Sequence, residues 1–204
     1  MFTNKNFNRP DGNGRYQGAI MSEQVLVNNC SPTFAGIKTG NLFNCKYSDK
    51  QSLIDEISSF NRAERKKGVR MIPLLFKNDC ALIYVYRPKM LERDLSLADA
   101  SGILSTCGYN DKCPDKCIIR LIDRLKTSLT FPHEIGLFLG YPAEDVKGFI
   151  DNKAANYKFV GCWKVYGDEE IARKTFAKYK ACTNYYKKRL TECGDLDKLI
   201  VGSD

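Results

Sequence analysis

The chain of 204 residues has little that points to a membrane, to secretion or to a metal centre: it holds one histidine, one tryptophan and no long apolar run. The longest apolar run, residues 80–86, has the length of a β-strand, whereas a membrane-spanning helix needs about 20 residues. The opening segment, MFTNKNFNRPDGNGRYQGAI, lacks the apolar core of a signal peptide. These absences predict a cytoplasmic protein that does not associate with membranes.

The nine cysteines include no C-x-x-C pair, a common spacing of structural metal ligands. Their nearest approach to such a spacing is Cys107, Cys113 and Cys117, and an odd number of cysteines cannot pair entirely within the chain. We therefore predict reduced, mostly buried thiols and no metal ligand. Handling of iron or another soft metal is a third functional hypothesis, supported by the cysteine count alone.

Positive charge is concentrated in residues 153–190, which hold ten basic and three acidic side chains. The whole chain has a formal net charge of +8. Aromatic residues alternate with these basic residues, a mixture found in sites for single-stranded nucleic acid. The alternative function is therefore binding of nucleic acid or an acidic partner, although a solvated helix face explains the same charges. The candidate residues are Lys158, Arg173, Lys174, Lys178, Lys187, Lys188 and Arg189.

Hydrophobic residues make up 43% of the chain and charged residues 27%, which is typical of a globular protein. Residues 1–20 are rich in Asn, Gly and Arg and are predicted to form a flexible tail, followed by a single domain over residues 21–204. We predict the α+β class, with several helices packed on a small, mostly antiparallel sheet. The sheet is built around a hairpin, because apolar runs at 71–76 and 80–86 flank Lys-Asn-Asp.

Helical periodicity and capping residues predict most of the remaining elements. A short strand is expected at 25–27, and Ser31-Pro32 is a plausible start for a helix or turn over 33–43. A strand is also expected over 159–166. The predicted helices follow Ser48, Pro88, Pro114, Pro132, Pro142 and Asp168, and glycines 68, 108 and 140 each end one of them.

Four stretches of the sequence carry a resemblance to a known family. They are CSPTFAGIKTGNLF at 30–43, FPHEIGLFLGYP at 131–142, EDVKGFI at 144–150 and CWKVYG at 162–167. Together they resemble an uncharacterised family of bacterial domains found mostly in anaerobes, and the resemblance covers about residues 25–195. It implies no reaction, cofactor or catalytic residue, and an anaerobic host fits a reduced, cytoplasmic protein.

The single histidine, His133, lies at the start of a predicted helix and beside Glu134. A helix amino terminus disfavours the charged imidazolium, so His133 could act as a base. Cys30 precedes the plausible helix start at Ser31-Pro32, where the helix dipole would favour its thiolate. Cys30 as nucleophile, His133 as base and Glu134 as orienting residue form one hypothesis. The other is structural: Cys30 packs in the core, and His133 and Glu134 accept free helix N–H groups.

Four further residues are candidate ligand-binding residues: Lys38, Tyr141, Trp163 and Lys164. Trp163 and Lys164 are neighbours on a predicted strand and therefore point to opposite faces. The leading functional prediction is a small-molecule binder or thiol-dependent enzyme, with a pocket near the cysteine and histidine. The sequence identifies no cofactor.

Overall fold

The computed structural model describes residues 21–111 and 113–202, so the predicted tail over 1–20 lies outside the described residues. The predicted hairpin is confirmed as β2 (Arg70–Lys77) and β3 (Cys80–Tyr86), which pair antiparallel. Asn78 and Asp79 form its turn with φ values of 50° and 54°. Both residue types tolerate this left-handed conformation, which a two-residue turn between twisted strands requires.

The third strand of the sheet is β1 (Gly40–Lys46), which pairs antiparallel with β3 and gives the order β1-β3-β2. Of the helix or turn expected over 33–43, only residues 35–39 form turns or bends, and the chain from Gly40 onward is a strand instead. Pairing with β3 is a non-local interaction that helical periodicity does not detect, and it overrides the local propensity.

The chain before β1 forms α1 (Glu23–Phe34), so the strand expected at 25–27 is also wrong. Ser22 is the N-cap, and its side chain accepts a hydrogen bond from the Val25 backbone N–H. Pro32 lies in the last turn of α1 and does not begin a helix. The β-branched valines tolerate the helix because Leu26, Val27, Cys30 and Phe34 form one buried stripe.

Three predicted helices are confirmed with small differences. The first is α2 (Lys50–Glu64), capped by Asp49 instead of Ser48 and followed by a short 3-10 helix and a left-handed Gly68. The helix predicted after Pro88 is two helices, α3 (Pro88–Ser96) and α4 (Ala98–Thr106), because Leu97 is extended with ψ 140°. The next is α5 (Pro114–Thr127).

The remaining chain forms α6 (Ile135–Phe138), α7 (Ala143–Asp151), β4 (Phe159–Val160), β5 (Lys164–Val165) and α8 (Glu169–Cys193). The single strand expected over 159–166 is instead a small hairpin of β4 and β5, closed by a hydrogen bond from Gly161 N to the Trp163 carbonyl at 3.0 Å. Asp168 caps α8 as predicted, accepting from the Ile171 N–H at 2.9 Å.

Helices cover both faces of the three-stranded sheet. Ala81, Ile83 and Val85 of β3 belong to a core with α1, α2 and the last turns of α8, which we call the first face. Tyr84 and Tyr86 belong to a second core with α3 to α7, which we call the second face. This alternation follows from the period of two of a strand. The described residues thus form the expected α+β fold.

Candidate functional site

A cleft of about 420 Å³ opens on the second face. Its walls are α6, α7 and the β4–β5 hairpin, and Leu42 of β1 borders it from the sheet. Apolar and aromatic side chains supply most of the lining, and a few polar groups stand among them. Size and lining are those of a small-molecule site.

Two aromatic residues that the sequence analysis selected form one wall of the cleft. The rings of Tyr141 and Trp163 are stacked, with centroids 4.6 Å apart. Phe176 of α8 contacts the indole edge-on at 4.4 Å. The wall is therefore held from behind by the longest helix, and the stack offers a planar apolar surface.

Asp145 fixes this wall, although no motif in the sequence marks it as a site residue. Its carboxylate is buried and accepts hydrogen bonds from Trp163 Nε1 at 2.6 Å and from the backbone N–H groups of Tyr166 and Gly167 at 2.7 and 2.8 Å. These three bonds tie the β4–β5 hairpin to α7. In the sequence, Asp145 has the pattern of an ordinary acidic residue in a first helical turn, so only the fold reveals its partners.

His133 and Lys164 lie at the edge of the cleft, against the same aromatic ring. The His133 ring lies 4.8 Å from that of Phe149, and Lys164 Nζ lies 5.8 Å from it. Lys164 Nζ also lies 4.6 Å from the Tyr157 ring and donates to the Ala154 carbonyl at 2.7 Å. The structure thus brings His133, Tyr141, Trp163 and Lys164 to one cleft. The expectation that Trp163 and Lys164 point to opposite faces of one strand is wrong, because Trp163 lies in the turn between β4 and β5 and only Lys164 belongs to a strand.

Lys38 lies beside this cleft and lines a neighbouring cavity of about 250 Å³. Its Nζ lies 5.2 Å from the centroid of the Tyr141 ring and donates to the Gly40 carbonyl. Burial lowers the pKa of Lys38 from its usual 10.5 to about 7, and interactions with Cys30 and Cys162 oppose that change only in part.

Cys30 is not in the environment that the sequence analysis assumed. The predicted helix start at Ser31-Pro32 is wrong, since Cys30 lies well inside α1 and is fully buried in the core of the first face. Burial raises the pKa of its thiol, and nearby Lys38 opposes this only partly. A buried thiol with a raised pKa is a poor nucleophile, and the histidine borders a cleft on the second face.

Glu134 is buried and is held by an ion pair with the partly exposed Arg124. Its Oε1 accepts from Arg124 Nε at 2.5 Å and from the Tyr109 hydroxyl at 3.0 Å, and the residue is 2% exposed. These partners link α5 to the start of α6. They give Glu134 a structural environment, and they do not include the His133 side chain.

The basic residues proposed for nucleic acid lie mainly along α8, and most have partners within the chain. Arg173 pairs with Glu169, Lys174 with Glu170, and Lys188 and Arg189 with Glu192. Lys158 donates to the Gly167 carbonyl at 2.8 Å, while Lys178 and Lys187 lie on the exposed side of the helix. Among the aromatic residues of this segment, Tyr186 is buried in the core of the first face, whereas Tyr157 and Tyr185 are exposed.

The part of the chain that the structure describes contains no group of three or more His, Cys, Asp or Glu side chains placed to hold a metal ion. Within the same residues, no helix combines the length and apolar character needed to cross a bilayer.

Fold and cleft together define a class: an α+β domain with helices on both faces of a three-stranded antiparallel sheet and an aromatic cleft on one face. Within that class, the chain belongs to the family described as "Protein of unknown function (DUF3793)", whose model matches residues 26–200. The resemblance to an uncharacterised family is thereby confirmed, while its bacterial, anaerobic origin stays a prediction. Neither the curated proteins nor the solved structures include a match to the chain.

Proposed function

We propose that the protein binds a small, planar, largely apolar molecule carrying one anionic group in the cleft between α6, α7 and the β4–β5 hairpin. The observation that supports this most directly is the stack of Tyr141 and Trp163 along the wall of a 420 Å³ cavity. A planar ligand can extend this stack and remove apolar surface from water, which is the main source of affinity in such sites.

The anionic group of the ligand is inferred from the polar groups at the edge of the cleft. The Lys164 ammonium group packs against the Phe149 ring, and the His133 ring contacts the same phenylalanine. Asp145 also borders the cleft, but its carboxylate is occupied by the hydrogen bonds to the hairpin. An anionic ligand group therefore meets more free donors than acceptors here.

Binding is favoured over thiol chemistry because the thiol that borders the cleft, that of Cys162, is not activated. Cys162 lines the cavity, but burial raises its pKa despite the favourable charge of Lys38. An activated cysteine nucleophile has a lowered pKa.

The single tryptophan makes the proposal testable, because Trp163 is the chain's only indole fluorophore and lies in the cleft wall. Titration with anilinonaphthalene sulfonate, a planar anion, is expected to give saturable energy transfer from Trp163 to the dye. Val160→Asp places a charge on the lining and is expected to raise Kd by about 10-fold, or 1.4 kcal/mol. Val201→Asp is the matched control, since the two valines are 49% and 52% exposed and Val201 does not line the cleft.

A second pair of variants separates the anionic contact from the apolar one. Lys164→Met is expected to weaken the sulfonate dye about 5-fold and to leave the uncharged phenylnaphthylamine unaffected. Lys158→Met is the control, because both lysines donate to a backbone carbonyl but Lys158 does not line the cleft. Absence of energy transfer, or equal losses in Val160→Asp and Val201→Asp, contradicts the proposal.

A further inference from the structure

We propose that Lys38 is the amine nucleophile of a second site, in the cavity beside the aromatic cleft, and that it forms an imine with a small aldehyde or ketone. This inference goes beyond the binding proposed for the main cleft and does not depend on it.

The cavity has a volume of about 250 Å³, and its polar lining differs from that of the main cleft. Its polar side chains come from the loop before β1, from α3, from the loop between α6 and α7, and from α8; they are those of Lys38, Thr39, Arg93, Asp94, Tyr141 and Tyr179. A cavity of this size admits a compound of a few carbon atoms, and its lining suits a carbonyl compound better than a hydrocarbon.

The backbone holds Lys38 firmly at this cavity. The Ile37 and Lys38 N–H groups both donate to the Pro32 carbonyl, at 3.0 and 3.1 Å, and Arg87 N donates to the Thr39 carbonyl at 2.9 Å. Lys38 as a whole residue is 5% exposed, and its Nζ donates to the Gly40 carbonyl and lies 5.2 Å from the centroid of the Tyr141 ring. The amine is therefore positioned before any substrate arrives.

The surroundings favour the uncharged amine, which is the nucleophilic form. Among the described residues, no carboxylate oxygen lies within ion-pair distance of Lys38 Nζ. The two acidic groups that interact with it are the thiols of Cys30 and Cys162, and burial raises both of their pKa values, so they are protonated at neutral pH. With its own pKa lowered to about 7, Lys38 carries a free lone pair at neutral pH in a far larger fraction of molecules than an ordinary lysine does.

The reaction needs no oxidant or reductant. The lone pair of Lys38 Nζ attacks the carbonyl carbon, protons move from nitrogen to oxygen, and the carbinolamine loses water to give the C=N bond. Thr39 and Asp94 form a hydroxyl–carboxylate pair on the cavity wall, with Arg93 2.8 Å from the other carboxylate oxygen. These side chains line the same cavity as Lys38, so they are available to exchange protons with a carbonyl compound bound there.

The test is reductive labelling of the native chain at pH 7 with limiting propanal and cyanoborohydride, followed by peptide mapping. The hydride traps the imine as a propyl amine, so each modified lysine is located by its mass. Lys38 is expected to react at least ~10-fold faster than Lys164 or the lysines of α8, because ordinary lysines are almost fully protonated at this pH. Its rate is expected to level off above pH 7 to 8, while those of the others keep rising.

The control is the same reaction in guanidinium chloride, where Lys38 becomes an ordinary lysine and its preference is expected to disappear. A second control compares Ala143→Phe with Ala98→Phe, since both alanines begin a helix but only Ala143 lines the cavity. Labelling of Lys38 should slow only in the first variant and should be unchanged by Val160→Asp. A Lys38 that stays unmodified while surface lysines react, or that follows their pH profile, overturns the proposal.

Discussion

The two faces of the sheet differ in what covers them. The first face is covered by long helices of 12, 15 and 25 residues, and its core includes small and aliphatic strand residues such as Ala81 and Val85. The second face meets mostly shorter helices, since α3, α4 and α7 have 9 residues each and α6 has 4, although α5 has 14; it carries the larger Tyr84 and Tyr86. Long helices give a continuous packed layer, whereas short helices joined by loops leave gaps between them. Both cavities described above border α6 and α7.

Lys38 links these two environments. It interacts with the thiol of Cys30 in the core of the first face and with that of Cys162 in the cleft wall. The first face of the sheet is therefore sealed and the second face is accessible, and the buried amine of Lys38 lies between them. Three measurements examine that division, beginning with the largest expected effect.

Thiol alkylation is expected to distinguish the two sides most strongly. Cys162 is exposed in the cleft, whereas Cys30 is fully buried and reacts only when the structure opens. For a domain of ordinary stability, about 5 kcal/mol or more, this predicts that iodoacetamide modifies Cys162 at least ~10³-fold faster than Cys30. Mass mapping over time gives both rates. Comparable rates in the native chain would mean that the first face is not sealed.

The cost of burying Lys38 is expected to appear as a pH dependence of stability. The pKa is about 10.5 in the unfolded chain and about 7 in the folded protein, so between these values only the unfolded chain keeps the proton. Stability therefore rises with pH across that window. Lys38→Met removes the penalty and is expected to be about 4 kcal/mol more stable than the parent at pH 6, after allowing about 1 kcal/mol for the lost hydrogen bond. This advantage should vanish near pH 10.

Urea unfolding of both chains at pH 6, 8 and 10 measures that difference. Lys178→Met, on the exposed side of α8, is the control and is expected to change stability by less than about 0.5 kcal/mol at every pH. A difference between Lys38→Met and the parent that does not vary with pH would show that Lys38 stays charged in the folded protein.

Local signals in the sequence predict much of this fold. The turn residues Asn78 and Asp79 identify the hairpin, Asp168 identifies the start of α8, and Gly68 and Gly108 mark helix ends. Each of these signals acts within a few residues, so it can be recognised without knowledge of the fold.

The errors occur where distant parts of the chain decide the structure. β1 exists because it pairs with β3, about forty residues later, and α1 depends on packing against α8 at the other end of the domain. Because α1 extends through Cys30, this residue is not at a helix start, and the helix dipole does not favour its thiolate as expected. The cap at Ser22 followed by Glu23 was the available local signal for the true start.

The residues of the candidate site can be predicted from the sequence, but their environment depends on the fold. His133, Tyr141, Trp163 and Lys164 were selected from short distinctive segments, and the fold brings all four to the cleft. Lys38 was also selected, but its lowered pKa depends on burial by residues from several elements. The burial of a side chain and the charges around it depend on the assembled core, so a local sequence pattern cannot predict the resulting pKa.

Replacing two glycines, one in the packed sheet and one on an open helix, tests the packing of the second face. An added Cβ at Gly40 lies 2.4 Å from Tyr84 Cε2 and 3.0 Å from the Phe138 carbonyl oxygen, and Tyr84 is fully buried with its hydroxyl bonded to that same oxygen at 2.5 Å. Neither neighbour can move freely, so Gly40→Ala is expected to lower the free energy of unfolding by about 2–3 kcal/mol.

At Gly102 in α4, an added Cβ meets nothing within 4 Å, and Gly102→Ala is expected to raise the free energy of unfolding by about 0.5–1 kcal/mol because alanine favours a helix. Opposite signs in urea unfolding are the expected result. A loss of similar size in both variants, or none at Gly40, would mean that the contact between the sheet and α6 is looser than described, and the cavities beside α6 would then lose their rigid wall.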